Sequence, residues 1–122
     1  MDALVLVVED HTDTREGYAA YLKFIGARVA SAANGETAVL LARDLKPDVI
    51  VMDGTLPGMS GQEASRILKA DPHTRSIPIV SVSGREPDGP CDAFLLKPCT
   101  PQQIAEAIRD VLRKKKTPSA AR

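Results

Sequence analysis

The sequence has no tryptophan, only two cysteines and no long apolar run. The lack of tryptophan removes that residue's fluorescence as a reporter of folding or binding. Cys91 and Cys99 have no partners at metal-ligand spacing, which leaves them a structural or incidental role, and a reducing compartment keeps both as thiols. No stretch approaches the ~18 apolar residues that a bilayer crossing needs. Met1-Asp2-Ala3 runs straight into a strand-like segment without a basic leader region. A cytoplasmic protein without membrane contact is the expectation. No internal repeat or low-complexity tract interrupts the chain.

Net charge is also lacking, but the zero hides a split. Residues 1–112 hold eleven basic and sixteen acidic residues, a net of −5, whereas Arg113–Arg122 hold five basic residues and no acid. An acidic body is a poor nucleic-acid surface, because Lys and Arg neutralising phosphate supply most of that affinity. No direct nucleic-acid partner is expected, and Lys114-Lys115-Lys116 reads as a solvated helix end. With 122 residues, 43% hydrophobic and 26% charged, the chain has the size and balance of one soluble domain. That domain is expected over residues 1–116, followed by a disordered tail, 117–122.

What is present alternates. Ala3–Val8, Asp48–Met52 and Ile77–Val82 are continuous apolar runs of the length and β-branched content of strands buried on both faces, with weaker runs at Arg28–Ser31 and Ala93–Leu96. Between them, helical spacing appears at Thr14–Ile25 (Tyr18, Tyr21, Leu22, Ile25), Glu36–Leu45 (Ala38, Leu41, Ala42, Leu45) and Gln62–Ala70 (Ala64, Ile67, Leu68). The last helix opens with Thr100 as N-cap, Pro101 and a capping-box Gln103, then shows Ile104, Ala107, Ile108, Val111 and Leu112 on one stripe. Alternation of this kind predicts an α/β fold with a five-stranded parallel sheet flanked by helices. It fails once: Gly84–Asp92 holds two prolines and two glycines, which disfavours helix and predicts a loop or one short turn.

Ligands collect at the carboxyl ends of strands in such a sheet. Glu9-Asp10 follows the first strand, Asp53 the third, Ser83-Gly84 the fourth and Lys97-Pro98 the fifth. Taken singly, each has a structural explanation: Asp10 and Asp53 as turn formers or helix caps, Ser83 as a solvated loop residue, Lys97 as an exposed charge. Together they predict one crevice holding three carboxylates, a hydroxyl and an ammonium. Such acids repel unless a cation or raised pKa values relieve them, and hard oxygen donors at an open crevice suit Mg²⁺. Bound Mg²⁺ would draw in an anionic phosphoryl donor, and a carboxylate is a competent phosphoryl acceptor. Asp53, alone after the central strand, is the best nucleophile. Lys97 would pair with it and then with a phosphoryl oxygen, and Ser83 would offer its hydroxyl to another.

These motifs, VVEDH, VIVMDGTLPGMSG, Ser83-Gly84 after IPIVSV, and FLLKP, resemble the receiver domain of two-component response regulators over about residues 3–115. The resemblance implies a flavodoxin-like doubly wound sheet, with Asp53 as phosphoacceptor. It implies Mg²⁺ held by Asp10, Asp53 and the backbone carbonyl of Thr55, with Glu9 acting through water. Ser83 is implied as the switch hydroxyl, Phe94 as the aromatic that turns inward, and a cis bond before Pro98. The phosphoryl donor would be a sensor histidine kinase or a histidine phosphotransfer protein. No effector domain is expected after the last helix, so output would pass through onward phosphotransfer or an unknown protein partner. The chain is thereby expected to be a signalling protein that catalyses only its own phosphorylation and dephosphorylation. From Ser83 to Lys97 it is several residues shorter than usual, so the fourth helix is expected to be shortened or absent. Cys99 stands where an aromatic often follows Lys-Pro, and Arg85 lies two places after the switch hydroxyl.

Other readings are weaker. A haloacid-dehalogenase-like phosphatase needs a second acid at position 55, which is Thr. A flavin-binding flavodoxin needs a phosphate loop where Glu9-Asp10-His11-Thr12-Asp13 is acidic. A pseudo-receiver that keeps the fold without phosphorylation is opposed by the intact acid set, Ser83 and Lys97, while the shortened fourth-helix region keeps it open.

Overall fold

A computed structural model of the chain describes residues 1–116. The expected disordered tail, 117–122, lies outside the described residues. Five strands, β1 (Leu4–Val8), β2 (Arg28–Ala32), β3 (Val49–Asp53), β4 (Ile79–Ser83) and β5 (Ala93–Leu96), form one parallel sheet in the order β2-β1-β3-β4-β5. Four helices complete it: α1 (Thr12–Phe24), α2 (Gly35–Leu45), α3 (Gly61–Ala70) and α4 (Pro101–Lys116). This is the expected doubly wound sheet, and the β4–β5 crossover, residues 84–92, carries no helix.

Alternation of side chains along the strands divides the core. Val5, Val7, Val49, Val51, Val80 and Val82 pack with Tyr18 and Leu22 of α1 and Ile104 and Ile108 of α4. Leu6, Val8, Ile50, Met52 and Ile79 pack with Ala38 and Ala42 of α2 and Ala64 and Leu68 of α3. β1 and β3, inside the sheet, are thus apolar on both faces, as buried parallel strands must be.

Local chemistry sets the boundaries. Asn34 caps α2 by accepting from the Thr37 N–H at 2.8 Å, Ser60 and Glu63 form a capping box on α3, and Thr100 and Gln103 form the reciprocal pair that opens α4. β3 runs one residue later than its apolar pattern suggests. Asp48 stays outside it, its carboxylate accepting from Leu4 N–H at 2.7 Å, so Asp53 is the last strand residue. Leu45 and Ile67, expected on buried stripes, are 42% and 38% exposed; on α2 Val39 is buried while Leu45 is not.

The helix-free crossover is tied down by polar contacts. Asp92 accepts from Ile79 N–H at 2.8 Å and from Lys69 Nζ at 2.9 Å, and Arg66 Nη2 donates to the Asp88 carbonyl at 2.9 Å. Phe94 and Leu96, on the sheet face that this crossover leaves open, remain 38% and 54% exposed.

Candidate phosphoryl-transfer site

The carboxyl ends of β1, β3 and β5 bring Glu9, Asp10, Asp53, Thr55 and Lys97 around one open crevice of about 360 Å³, with His11 and Thr14 at its edge. Strand parity explains the assembly. Glu9 continues the Val5–Val7 row, Asp53 the Val49–Val51 row and Lys97 the Ala93–Leu95 row, so all three leave the sheet on one face. Lys97 Nζ lies 3.3 Å from Asp53 Oδ1 and 3.4 Å from Glu9 Oε1. Thr55 N–H donates to Asp53 Oδ1 at 3.0 Å and His11 N–H to Glu9 Oε2 at 3.0 Å. The peptide bond before Pro98 is cis.

Glu9 and Asp53 are buried, at 3% and 4% exposure, whereas Asp10 is exposed. Asp53 therefore forms the floor of the crevice and Asp10 its rim. Ligand oxygens of Glu9, Asp10 and Asp53 lie within 4.8 Å of one another. At that separation two carboxylates repel by about 3.5 kcal/mol at an effective dielectric constant of about 20. Lys97 supplies one balancing charge, which leaves the ionised cluster at −2. All its side-chain donors are hard oxygens, so the residues present fit a divalent cation of the magnesium or calcium class.

Burial pulls the Lys97 ammonium down, but the facing Asp53 and Glu9 carboxylates more than offset this and hold its pKa above the ordinary lysine value. Lys97 is a fixed cation at neutral pH. Beside it, Cys99 packs with Tyr18 against the α1–α4 core. Burial pushes the Cys99 thiol up and the Tyr18 phenol far above its usual range.

One expectation needs correction. Ser83 does not open onto the acidic crevice. It is 2% exposed and borders a neighbouring depression with Gly54, Thr55, Gln62 and Arg85. The reason is parity: Asp53 pairs with Val82, so Ser83 leaves the sheet on the opposite face, as Phe94 and Leu96 do. Sequence reasoning also missed Arg15, whose Nη1 donates to the Glu9 carbonyl at 2.8 Å and thereby braces the acid pair from α1. No motif marks it; only its place in the first turn of α1 does.

Residues 5–109 match the family model described as the response regulator receiver domain. The chain belongs to that family. It is 34% identical over 119 residues to Protein PilH of Pseudomonas aeruginosa, covering 90% of this chain and 98% of that protein. It is 32% identical to the polar-differentiation response regulator DivK of Brucella anthropi, covering 92% and 98%. Against the phosphate regulon transcriptional regulatory protein PhoB of P. aeruginosa identity is 34%, but this chain spans only 52% of that protein. The receiver domain of sensor histidine kinase PA1611 from P. aeruginosa, solved with a magnesium ion coordinated in the active site cleft, superposes with a TM-score of 0.84 at 26% identity over 92% of this chain and 98% of that one.

The chain is accordingly a phosphoacceptor signalling domain of a two-component system, and receiver domains of this kind interact with histidine kinases. Its role is thus one of signalling. Among the described residues no helix is long and apolar enough to cross a membrane.

Proposed function

We propose that residues 1–116 are one receiver domain in which Asp53 accepts a phosphoryl group from a phosphohistidine of a sensor histidine kinase or histidine phosphotransfer protein. The observation that carries this is the setting of Asp53: a buried carboxylate open to the crevice floor, 3.3 Å from Lys97 Nζ, with oxygen donors of Glu9 and Asp10 within 4.8 Å. An Asp53 oxygen attacks phosphorus, the P–N bond breaks, and the imidazole leaves with the electron pair, giving an acyl phosphate. Lys97, already beside the carboxylate, holds a phosphoryl oxygen as charge moves onto it.

Asp10, Asp53 and the Thr55 carbonyl are the residues to hold Mg²⁺ directly, with Glu9 acting through water. Bound there, Mg²⁺ supplies charge neutralisation for an incoming anion and for the transferring oxygens. Ser83 serves as the switch hydroxyl after crossing toward the phosphoryl group, and Phe94 as an aromatic free to change its exposure. The domain thus catalyses its own phosphorylation and dephosphorylation and passes the signal on through its altered surface or by onward phosphotransfer, without direct nucleic-acid contact. The same proposal sets it in the cytoplasm, a reducing compartment that keeps Cys91 and Cys99 as the free thiols they are here.

Intact-mass spectrometry after incubation with acetyl phosphate tests this. The expected result is gain of one phosphoryl group, dependent on Mg²⁺ and lost in Asp53→Ala. A gain that survives Asp53→Ala, or no gain in the wild type, overturns the assignment.

A further inference from the structure

Gly54, directly after Asp53, leaves a small space that two polar side chains crowd. A β-carbon built there would lie 2.7 Å from Ser83 Oγ and 3.2 Å from Gln62 Nε2. The end of β3 is held beside β4 at this point, Gly54 N–H donating to the Val82 carbonyl at 3.0 Å. Ser83 is buried and Gln62 half-buried. The hydroxyl and the carboxamide therefore share the volume of one absent side chain.

The stem of Gln62 meets the helix-free crossover. A β-carbon on Gly89 would lie 3.1 Å from Gln62 Cβ and 3.3 Å from its Cα, so the crossover backbone rests on the first turn of α3. One turn further along α3, Arg66 holds Asp88. Phe94 offers no comparable route from Ser83. In the β4–β5 register it lies opposite Ser81, while Leu96 is opposite Ser83, and its ring is 38% exposed.

We propose that Gln62 is a positioning residue that couples the Ser83 hydroxyl to the crossover loop 84–92, so that phosphorylation is read out through that loop and α3. The proposal rests on the assignment of Asp53 and Ser83 above. When the Ser83 hydroxyl moves toward a phosphoryl oxygen, it vacates the space beside Gly54. The Gln62 carboxamide, otherwise left with an unfilled neighbouring volume, shifts into it, and its stem carries Gly89.

Hydrogen–deuterium exchange of residues 84–92, with and without acetyl phosphate and Mg²⁺, tests the coupling, with intact mass measured on the same samples. In the wild type, phosphorylation should change exchange in this loop by about fivefold or more, the lower end of usual coupling strengths. Gln62→Met keeps the stem under Gly89 and deletes the amide; it should gain the phosphoryl group and lose the loop response. Gln62→Asn, which keeps an amide one methylene shorter, should restore at least part of it. A full loop response in Gln62→Met, a loss in both variants alike, or a phosphorylated wild type with an unchanged loop each overturns the proposal. Absence of phosphoryl gain in the wild type instead overturns the Asp53 assignment beneath it.

Discussion

Gly61 passes so close to Asp53 that a β-carbon on it would overlap the Asp53 carbonyl oxygen. The two backbones are also joined nearby, Gly61 N–H donating to the Gly54 carbonyl at 3.2 Å. The first residue of α3 thus fixes where the strand carrying the acceptor carboxylate ends. Gly61→Ala must displace one or the other, at a cost of about 1–3 kcal/mol typical of overpacking. Misplacement of Asp53 should also slow phosphoryl gain by up to about 100-fold. Urea unfolding and intact mass over time measure the two effects, and a variant matching the wild type in both would show that the contact is not needed.

Much of this was legible because the strands declare themselves. LVLVV, DVIVM and IPIVSV are too short and too β-branched for helices, so the residues closing them, Glu9-Asp10, Asp53 and Ser83, could be placed at one end of a sheet. Counting strand ends does not say which face a side chain leaves by. Stepping in twos from the buried valines does, and it groups Glu9, Asp53 and Lys97 while sending Ser83 and Phe94 to the other side. The helix-free crossover was readable from Pro87, Pro90, Gly84 and Gly89. Its docking on Gln62 was not, because that contact is made by a glycine backbone, which leaves no side-chain pattern to read.

Mg²⁺ should stabilise the fold by mass action, since its ligands are assembled only in the native state. At 100-fold excess over its dissociation constant this contributes about 2.7 kcal/mol, on the order of 10 °C in melting temperature for a chain of this size. Asp10→Asn should abolish most of the response. Without the metal the same variant should melt at or slightly above the wild type, because removing one of three crowded carboxylates relieves repulsion, by about 1 kcal/mol or less at an exposed position. Calorimetry with and without MgCl₂ decides it; equal Mg²⁺ responses in both proteins would exclude Asp10 as a ligand.

Ile108 is fully buried where α4 packs against the sheet. Ile108→Ala should lose about 2–5 kcal/mol through lost transfer energy and the cavity left behind. Phe24 at the end of α1 is larger but 86% exposed, so Phe24→Ser should fall within about 0.5 kcal/mol of the wild type. Urea midpoints of the two variants should therefore separate in the order of burial, not of side-chain size.

Asp71 gives the acid limb of stability a defined contributor. The His73 backbone N–H at 2.9 Å and Arg43 Nε at 2.8 Å hold its carboxyl at a pKa of about 2, below the ordinary 3.8. A carboxyl lowered on folding stabilises fully above its unfolded pKa and loses that contribution as pH falls through the folded one. Asp71→Ala should be less stable than the wild type near neutrality, with the gap narrowing between pH 3.8 and about 2. Urea midpoints across that interval test the sign; a gap that stays constant, or widens toward low pH, would contradict it.

Lys97 allows the chemical and electrostatic parts of the site to be pulled apart. Lys97→Met keeps a long unbranched chain and removes the ammonium that lies 3.3 Å from Asp53 and 3.4 Å from Glu9. With one preorganised cation gone, phosphoryl gain from acetyl phosphate should slow by about 100- to 1,000-fold. The ionised cluster meanwhile goes from −2 to −3, so the Mg²⁺-induced rise in melting temperature should persist at lower Mg²⁺ concentration than in the wild type. Loss of structure at the site would weaken both properties together. Opposite movement of rate and metal affinity is what a cation acting on the transferring phosphoryl group requires, and parallel loss of both would assign Lys97 to holding the crevice in shape.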